Sequence, residues 1–156
     1  MEDTILYLHS LAIAVLIGKV VLLSFVVAPV LAKQLDREPF GKVVRELFPA
    51  YYALGMGAAA IGVLSVLMLG IIHETNVIRH LAAGVWLVVL AAETYCRSPL
   101  TPRSNAMRDR LKEQESQGPV DPVLQAAWNR LHQRSVYLNS LVLLGGLCLL
   151  GLAGRW

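Results

Sequence analysis

Four apolar runs constrain the fold of this chain more than any other feature. They cover residues 5–31, 49–72, 78–97 and 135–153 and are rich in Leu, Val, Ala and Gly. Each is close to, or longer than, the roughly 20 residues that a helix needs to cross the hydrocarbon core of a membrane. No alternating strand pattern competes with them. We therefore predict an all-α membrane protein, a four-transmembrane-helix bundle forming a single domain over residues 1–156.

The charged residues support this prediction, because they are collected between the apolar runs. Hydrophobic residues make up 56% of the 156 residues, and the net charge is +3. The basic residues lie next to the spans and alternate with acidic ones, a pattern that suits lipid headgroups. We expect the lipid bilayer as a partner and no nucleic acid. Cys96 and Cys148 fall at opposite ends of their spans, so no disulfide is expected.

The distribution of Lys and Arg predicts the orientation of the chain. Most of them lie between the first and second runs and between the third and fourth, and only Arg79 and Arg155 lie on the other side. Positive residues are retained in the cytoplasm. We therefore expect cytoplasmic basic loops and both termini outside, as in a bacterial inner membrane. The first run follows Met1-Glu2-Asp3 rather than basic residues, so we expect a retained span and no signal peptide.

The segment between the first two spans predicts a short interfacial helix. Asp36 and Pro39 supply a helix start, and apolar residues recur with helical spacing from Phe40 to Phe48. Such an amphipathic helix would lie on the membrane surface. We expect Pro29 to end the first span and Pro49 to turn the interfacial helix into the second.

Residues 105–134 predict a cytoplasmic helical hairpin extension. Ser116-Gln117-Gly118-Pro119 breaks the segment into two helices. Asn105 is the candidate cap of the first helix, and Asp121 before a proline is the candidate cap of the second. The second helix should continue into the fourth span, paired with an extension of the third.

Two charged residues lie inside apolar runs, Lys19 in the first and Glu93 in the third. A charge near the centre of a membrane helix costs about 2.5–3.5 kcal/mol on insertion scales, so it usually marks a partner or a site. Our preferred hypothesis is a Lys19 to Glu93 ion pair. A functional ion or proton site, or no contact, are the alternatives. Replacing Lys19 by Met should leave folding intact if Glu93 can take up a proton.

Polar residues also line one face of the fourth span. His132, Ser135, Asn139 and Gly146 fall on a single helical face. Buried Ser and Asn in a membrane need hydrogen bonds within the bundle, so we expect this face to point inward. It either holds the helices together or lines a path for a substrate or protons.

Three histidines are candidate ligands at the outer membrane face. His9, His73 and His80 are expected to gather there with Glu74. Neutral imidazoles bind copper, zinc or haem iron, so haem or copper is the candidate cofactor. Ordinary interface histidines are the alternative.

The motifs of common enzyme classes are missing from the sequence. It lacks a glycine-rich phosphate loop, a Gly-x-Ser-x-Gly motif and an intramembrane catalytic motif, so we expect no enzyme.

The sequence leaves three hypotheses of function. The first hypothesis is a non-catalytic accessory or assembly subunit that packs against other membrane-protein subunits or self-associates. The second is a haem- or metal-binding protein that uses the outer histidines. The third is a transporter or efflux component with a polar intramembrane path.

Several motifs together resemble one known family along nearly the whole chain. They are His9-Ser-Leu, Phe25-Val-Val-Ala-Pro29, Phe40-Gly41, Leu47-Phe-Pro-Ala-Tyr-Tyr52, Thr101-Pro-Arg-Ser-Asn-Ala-Met107 and His132-x-x-Ser135-x-x-x-Asn139. This order of motifs is similar to the transmembrane protein 205-like family. The resemblance implies a four-helix integral membrane protein from a largely uncharacterised family, whose eukaryotic member is associated with resistance to platinum drugs and thus loosely with export or trafficking. The matched polar or special residues have no established role in that family, and they are His9, Pro102, Arg103, His132, Ser135 and Asn139.

Overall fold

The computed structural model describes residues 1–73 and 76–154, and these residues form helices and no strands. The predicted contributions of Glu74 and Arg155 lie outside the described residues. The α-helices are α1 (Glu2–Val21), α2 (Ala28–Gln34), α3 (Arg37–Ile72), α4 (Val77–Tyr95), α5 (Thr101–Gln117) and α6 (Pro122–Leu152). Two π-helical segments join neighbouring helices without a break, Leu22–Val27 between α1 and α2 and Cys96–Leu100 between α4 and α5.

Four continuous helices are long and apolar enough to cross a membrane, which confirms the predicted all-α bundle. They are Glu2–Gln34, Arg37–Ile72, Val77–Gln117 and Pro122–Leu152. Between 17% and 39% of the apolar window of each helix is buried inside the bundle. The remaining apolar surface suits hydrocarbon rather than water, so the protein is an integral membrane protein.

The four helices form a ring. Both α1 and α4 pack against α3 and against α6, so α1 lies diagonally opposite α4, and α3 lies diagonally opposite α6. One end of the bundle, the terminal end, contains the start of α1, the end of α3, the start of α4 and the end of α6. The other end, the hairpin end, contains α2, the start of α3, α5 and the start of α6. This ring brings side chains from all four helices to one central axis.

The predicted interfacial helix is wrong as a separate element. Its residues are helical, but they form the first third of α3, which runs unbroken through Pro49. A proline removes a single backbone N–H from the helix ladder, and packing and side-chain contacts can outweigh that loss. The Arg45 guanidinium pairs with the Asp109 carboxylate at 2.5 Å, which ties this part of α3 to α5. The segment therefore packs beside the hairpin as the start of α3.

Prolines fail to end the other helices for a related reason. Pro29 is the second residue after the Leu22–Val27 π segment, and Pro99 lies inside the second π segment. The wider π turn relaxes the clash of a proline ring with the preceding turn. The Thr101 hydroxyl also donates to the Cys96 carbonyl at 2.7 Å, and the same carbonyl accepts the Thr101 backbone N–H across the widened turn. The prediction that Pro29 ends the first span is therefore wrong.

The predicted helical hairpin is present, and its location in the cytoplasm stays a prediction. The helices α5 and α6 pack together, and α6 continues from the hairpin into the membrane as one helix of 31 residues. The Asp121 carboxylate caps α6 by accepting the Val123 N–H at 2.8 Å, as predicted. Asn105 is no cap, because the helix that contains it already begins upstream in α4 and the π segment.

A buried polar cluster as the candidate functional site

Two opposite charges meet at the centre of the bundle. Lys19 on α1 and Glu93 on α4 reach across one diagonal, and the Lys19 Nζ lies 2.6 Å from the Glu93 Oε1. Their side chains are 3% and 1% exposed. The ion pair predicted from the sequence is therefore present. Taking two such charges out of water costs several kcal/mol per ion, so the surrounding residues must compensate.

Neighbouring α3 residues shape the space around the ion pair. Gly55 lies against it, and a Cβ at this position would collide with both the Glu93 carboxyl group and the Lys19 ammonium. The ring of Tyr51 lies one helical turn away, with its centroid 3.8 Å from the Lys19 Nζ. An ammonium over an aromatic face in a desolvated site gains about 2 kcal/mol. A glycine and a tyrosine thus make the buried lysine tolerable.

A hydrogen-bonded group crosses the other diagonal, from α3 to α6. The Tyr51 hydroxyl donates to the Asn139 Oδ1 at 2.8 Å. The Asn139 Nδ2 donates to the Tyr52 hydroxyl at 3.3 Å and to the Ser135 carbonyl at 2.9 Å. The hydroxyls of Tyr52 and Ser135 lie 3.1 Å apart and share a further bond. Ser135 and Asn139 therefore point inward as predicted, and Tyr51 connects their network to the ion pair.

The two charged residues occupy equivalent positions on their helices. Lys19 lies three residues before the π segment that starts at Leu22, and Glu93 lies three residues before the one that starts at Cys96. Single π turns inside α-helices are frequent at functional sites. The helices α1 and α4 run in the same direction, so both π segments lie on the hairpin side of the ion pair.

Sequence reasoning missed the α3 residues that complete this cluster. Tyr51 and Tyr52 entered only as parts of a family motif, and Gly55 was not singled out at all. The sequence did contain a signal for the tyrosines. Tyr51 and Tyr52 lie near the start of the second span, and Ser135 and Asn139 lie near the start of the fourth, so all four are expected at a similar membrane depth. Polar groups at equal depth in a membrane bundle are expected to pair.

The three candidate histidine ligands occupy different environments. His9 is 1% exposed in the core, where its ring meets the Trp86 ring edge to face at 5.7 Å. His73 lies at the terminal end, 2.8 Å from the Glu2 carboxylate, and His80 is exposed with its Nδ1 2.9 Å from the Asn76 carbonyl. Within residues 1–73 and 76–154, no three potential ligands gather closely enough to hold a metal ion. Haem or copper binding by these histidines stays a prediction.

The remaining residues of the family resemblance lie at the hairpin end. His132 is exposed and stacks on Trp128 with 5.5 Å between ring centroids, so it does not join Ser135 and Asn139 inside the bundle. Pro102 and Arg103 are exposed in the first turn of α5. The inward polar face of α6 therefore begins at Ser135, because His132 turns outward although the adjacent Leu131 packs against the core.

The arrangement can act chemically in two ways. A carboxylate beside an ammonium in a low-dielectric core can exchange a proton, and a separate network of hydrogen bonds joins the tyrosine hydroxyls to α6. Alternatively, the ion pair and the hydrogen bonds together fix the relative position of the four helices. The geometry is compatible with both.

Comparison with known protein families gives a match, which covers most of the chain. The model of the family described as Domain of unknown function (DUF4149) matches residues 11–113, more than half of the 156 residues. The chain belongs to the DUF4149 family. The DUF4149 match contains Lys19, Tyr51, Tyr52 and Glu93, and it ends before the α6 side of the cluster. No curated protein and no solved structure matches the chain.

Proposed function

We propose that this DUF4149 protein is a non-catalytic accessory or assembly subunit, which packs through the exposed face of α6 against a larger membrane protein complex. The burial of α6 carries the proposal. Only 17% of its apolar window is buried within the bundle, against 39% for α3. Because the other three helices bury so little of the apolar surface of α6, this helix has the most surface left for contact with a second protein.

The composition of this exposed face supports contact with a partner helix. Ser140, Cys148 and Gly151 are exposed and lie on the same side of α6 as Leu144 and Leu147. Small residues allow two membrane helices to approach closely, and the leucines between them supply packing surface. The face therefore suits a partner helix as well as lipid.

The closed centre of the bundle also favours this role. The charges of Lys19 and Glu93 neutralise each other, and the tyrosines pair with Ser135 and Asn139. Two openings of the described part lie at the ends of the bundle, one of about 360 Å³ at the terminal end beside His73 and one of about 390 Å³ between α5 and α6. Such an interior suits a rigid scaffold.

Site-specific photo-crosslinking in native membranes tests the proposal. A photoreactive residue replaces Leu144 on α6, which is 64% exposed, or Leu64 on α3, which is 58% exposed and serves as the matched control. We expect a discrete protein adduct from position 144 and lipid adducts from position 64. Lipid adducts alone at both positions, or equal protein adducts at both, would contradict an interface on α6.

We further propose a bacterial inner membrane location with the hairpin end in the cytoplasm. The cluster of Lys and Arg at that end supports this orientation through the positive-inside rule. Alkaline phosphatase fused after the C-terminus should be active, and a green fluorescent protein at the same place should be dark. The reverse pattern would overturn the orientation.

A transporter or ion-coupled component is the second candidate function. It is favoured by the position of Lys19 and Glu93, each three residues before a π segment. The resemblance to the transmembrane protein 205-like family, which we retain as a proposal, points toward export as well. Proton flux into vesicles that contain the purified protein, lost in the Lys19→Met, Glu93→Met double variant, would support this candidate. No flux above that of empty vesicles would reject it.

A further inference from the structure

A groove at the hairpin end concentrates positive charge between two helices. Four arginines line it, Arg103 and Arg110 from α5 and Arg130 and Arg134 from α6. On each helix the lining residues recur with i, i+3, i+4, i+7 spacing, so two matching faces oppose each other. Met107 and Leu131 belong to the apolar lining between the charges. The groove has a volume of about 390 Å³, enough for a small headgroup.

The four groove arginines differ from the other basic residues of the hairpin. Arg108 pairs with Glu115 at 3.6 Å, and Lys112 pairs with Glu38 at 3.0 Å. No carboxylate among residues 1–73 and 76–154 lies within 4.0 Å of the guanidinium of any groove arginine. Four like charges around one groove repel each other unless an anion separates them. The groove therefore favours the binding of a negatively charged group.

The position of the groove relates it to the membrane surface. Arg134 immediately precedes the fourth apolar run, and its guanidinium donates to the hydroxyl of Tyr95, the last residue of α4, at 3.2 Å. Arg103 lies about 9 Å along the helix past residue 97, the predicted end of the third span. The headgroup layer extends about 5–7 Å beyond the hydrocarbon core, so a flexible arginine side chain reaches it from there. One end of the groove thus opens where lipid phosphates lie.

We propose that the groove binds an anionic phospholipid, with Arg103 and Arg134 holding its phosphate and Arg130 and Arg110 the outer part of its headgroup. Guanidinium groups bind phosphate oxygens in paired hydrogen bonds. Basic pockets between helices on the cytoplasmic side of membrane proteins are suited to such headgroups. Continuity with the membrane surface and the apolar lining favour a lipid over an acidic protein segment. This site is independent of the α6 face proposed for a partner subunit.

Native mass spectrometry of the full-length protein tests the site. The protein is released from nanodiscs that contain equal amounts of phosphatidylglycerol and phosphatidylcholine, and the lipids retained on it are counted. We expect selective retention of phosphatidylglycerol by the unsubstituted protein. The Arg103→Gln, Arg134→Gln variant should retain it about thirtyfold less, the factor expected when two interfacial arginines are lost.

A charge-matched variant provides the control. Arg37→Gln with Arg97→Gln removes two exposed arginines of the hairpin end that do not line the groove. It should retain phosphatidylglycerol within threefold of the unsubstituted protein. Arg130→Gln alone serves as the second site variant if the first one fails to yield folded protein.

Four results would overturn the proposal. One is equal loss of lipid in the site variant and its charge-matched control. Another is equal retention of both lipids by the unsubstituted protein. Inorganic phosphate at millimolar concentration that displaces phosphatidylglycerol completely would assign the site to a free anion. A variant that keeps its lipid and loses a co-purifying acidic protein would assign the groove to that protein.

Discussion

At the scale of residues, burying the Lys19 to Glu93 ion pair costs desolvation free energy, and neighbouring residues offset part of that cost. Gly55 leaves space for it, the Tyr51 ring faces the ammonium, and the two side chains are almost completely buried. Breaking a buried ion pair by removing one partner is usually far more harmful than replacing both partners by apolar residues. The pair is therefore open to a double-mutant test.

We expect the single and double variants of the pair to differ strongly. Glu93→Met leaves an unpaired ammonium in the core and should lower the free energy of unfolding by about 3–5 kcal/mol. Lys19→Met should cost less, because the remaining carboxyl group can take up a proton. The double variant should recover most of the lost stability. Thermal unfolding in mild detergent, followed by tryptophan fluorescence, measures all three, and additive losses would contradict a direct interaction.

Gly55 offers a prediction with a matched control on the same helix. Gly55→Ala places a methyl group against Glu93 and Lys19 and should destabilise the bundle by about 1–3 kcal/mol. Gly57→Ala meets no atom within 4 Å and should be neutral or slightly stabilising, because alanine favours helix. The same unfolding measurement compares them, and equal effects would show that the space at Gly55 is unimportant.

Contacts between side chains were predictable from the sequence where burying a residue in the membrane costs so much free energy that it requires a partner. A lysine and a glutamate inside apolar runs favour pairing, so the sequence made the ion pair the preferred hypothesis over a functional ion site or no contact. The tyrosines were missed because tyrosine is common near membrane boundaries and carries no comparable cost. The histidines were grouped by expected depth alone, and depth does not show that His9 faces the core while His80 faces outward.

At the scale of elements, the first third of α3 is held upright by charged contacts with α5. The Glu38 carboxylate accepts from the Lys112 ammonium at 3.0 Å and lies 3.4 Å from Lys42. The hydrogen bond with Lys112, with Lys42 adding to it, lowers the pKa of Glu38 below its ordinary value. Because the pKa is lowered in the folded state, the stabilisation is present above the ordinary glutamate range and is lost as pH falls through the lowered pKa.

This contact predicts a pH shift in a variant. Lys112→Gln removes the larger cause of the lowered pKa, so Glu38 should bind its proton at a higher pH. Side-chain carbon NMR of labelled Glu38 in detergent measures the midpoint. Lys33→Gln removes the same charge without touching Glu38 and should leave the midpoint unchanged. Identical midpoints in both variants would show that α3 and α5 are not joined by this contact.

Helix boundaries were less predictable than helix existence, and the prolines explain the errors. Pro29 and Pro49 were treated as breakers, but a π segment accommodates the first, and packing against the hairpin carries α3 through the second. Both compensations depend on tertiary structure, which local propensity does not contain. Asp121 was predictable, because an aspartate before proline caps a helix through its own neighbours.

At the scale of the whole molecule, two crossed diagonals organise the bundle. The ion pair joins α1 to α4, and the hydrogen bonds of Tyr51 and Tyr52 join α3 to α6. Such a centre fixes four helices and leaves their outer apolar faces free for lipid or another protein. Among the four helices, α6 has the smallest buried share of its apolar window and so leaves the most surface for such contacts. The role that we propose for this closed bundle is service in a larger membrane assembly.

The size of the protein in its native state tests that claim most directly. The membrane is dissolved in a mild detergent, and size-exclusion chromatography with light scattering gives the mass of each particle that contains the chain, with a visible spectrum of each peak. We predict a protein mass, after the bound detergent is subtracted, several times the 17.1 kDa of the chain, in a particle that contains other membrane proteins. Leu144→Trp should release the chain from this particle, whereas Leu64→Trp should not. A small particle of this chain alone, unchanged by either substitution, would contradict the account.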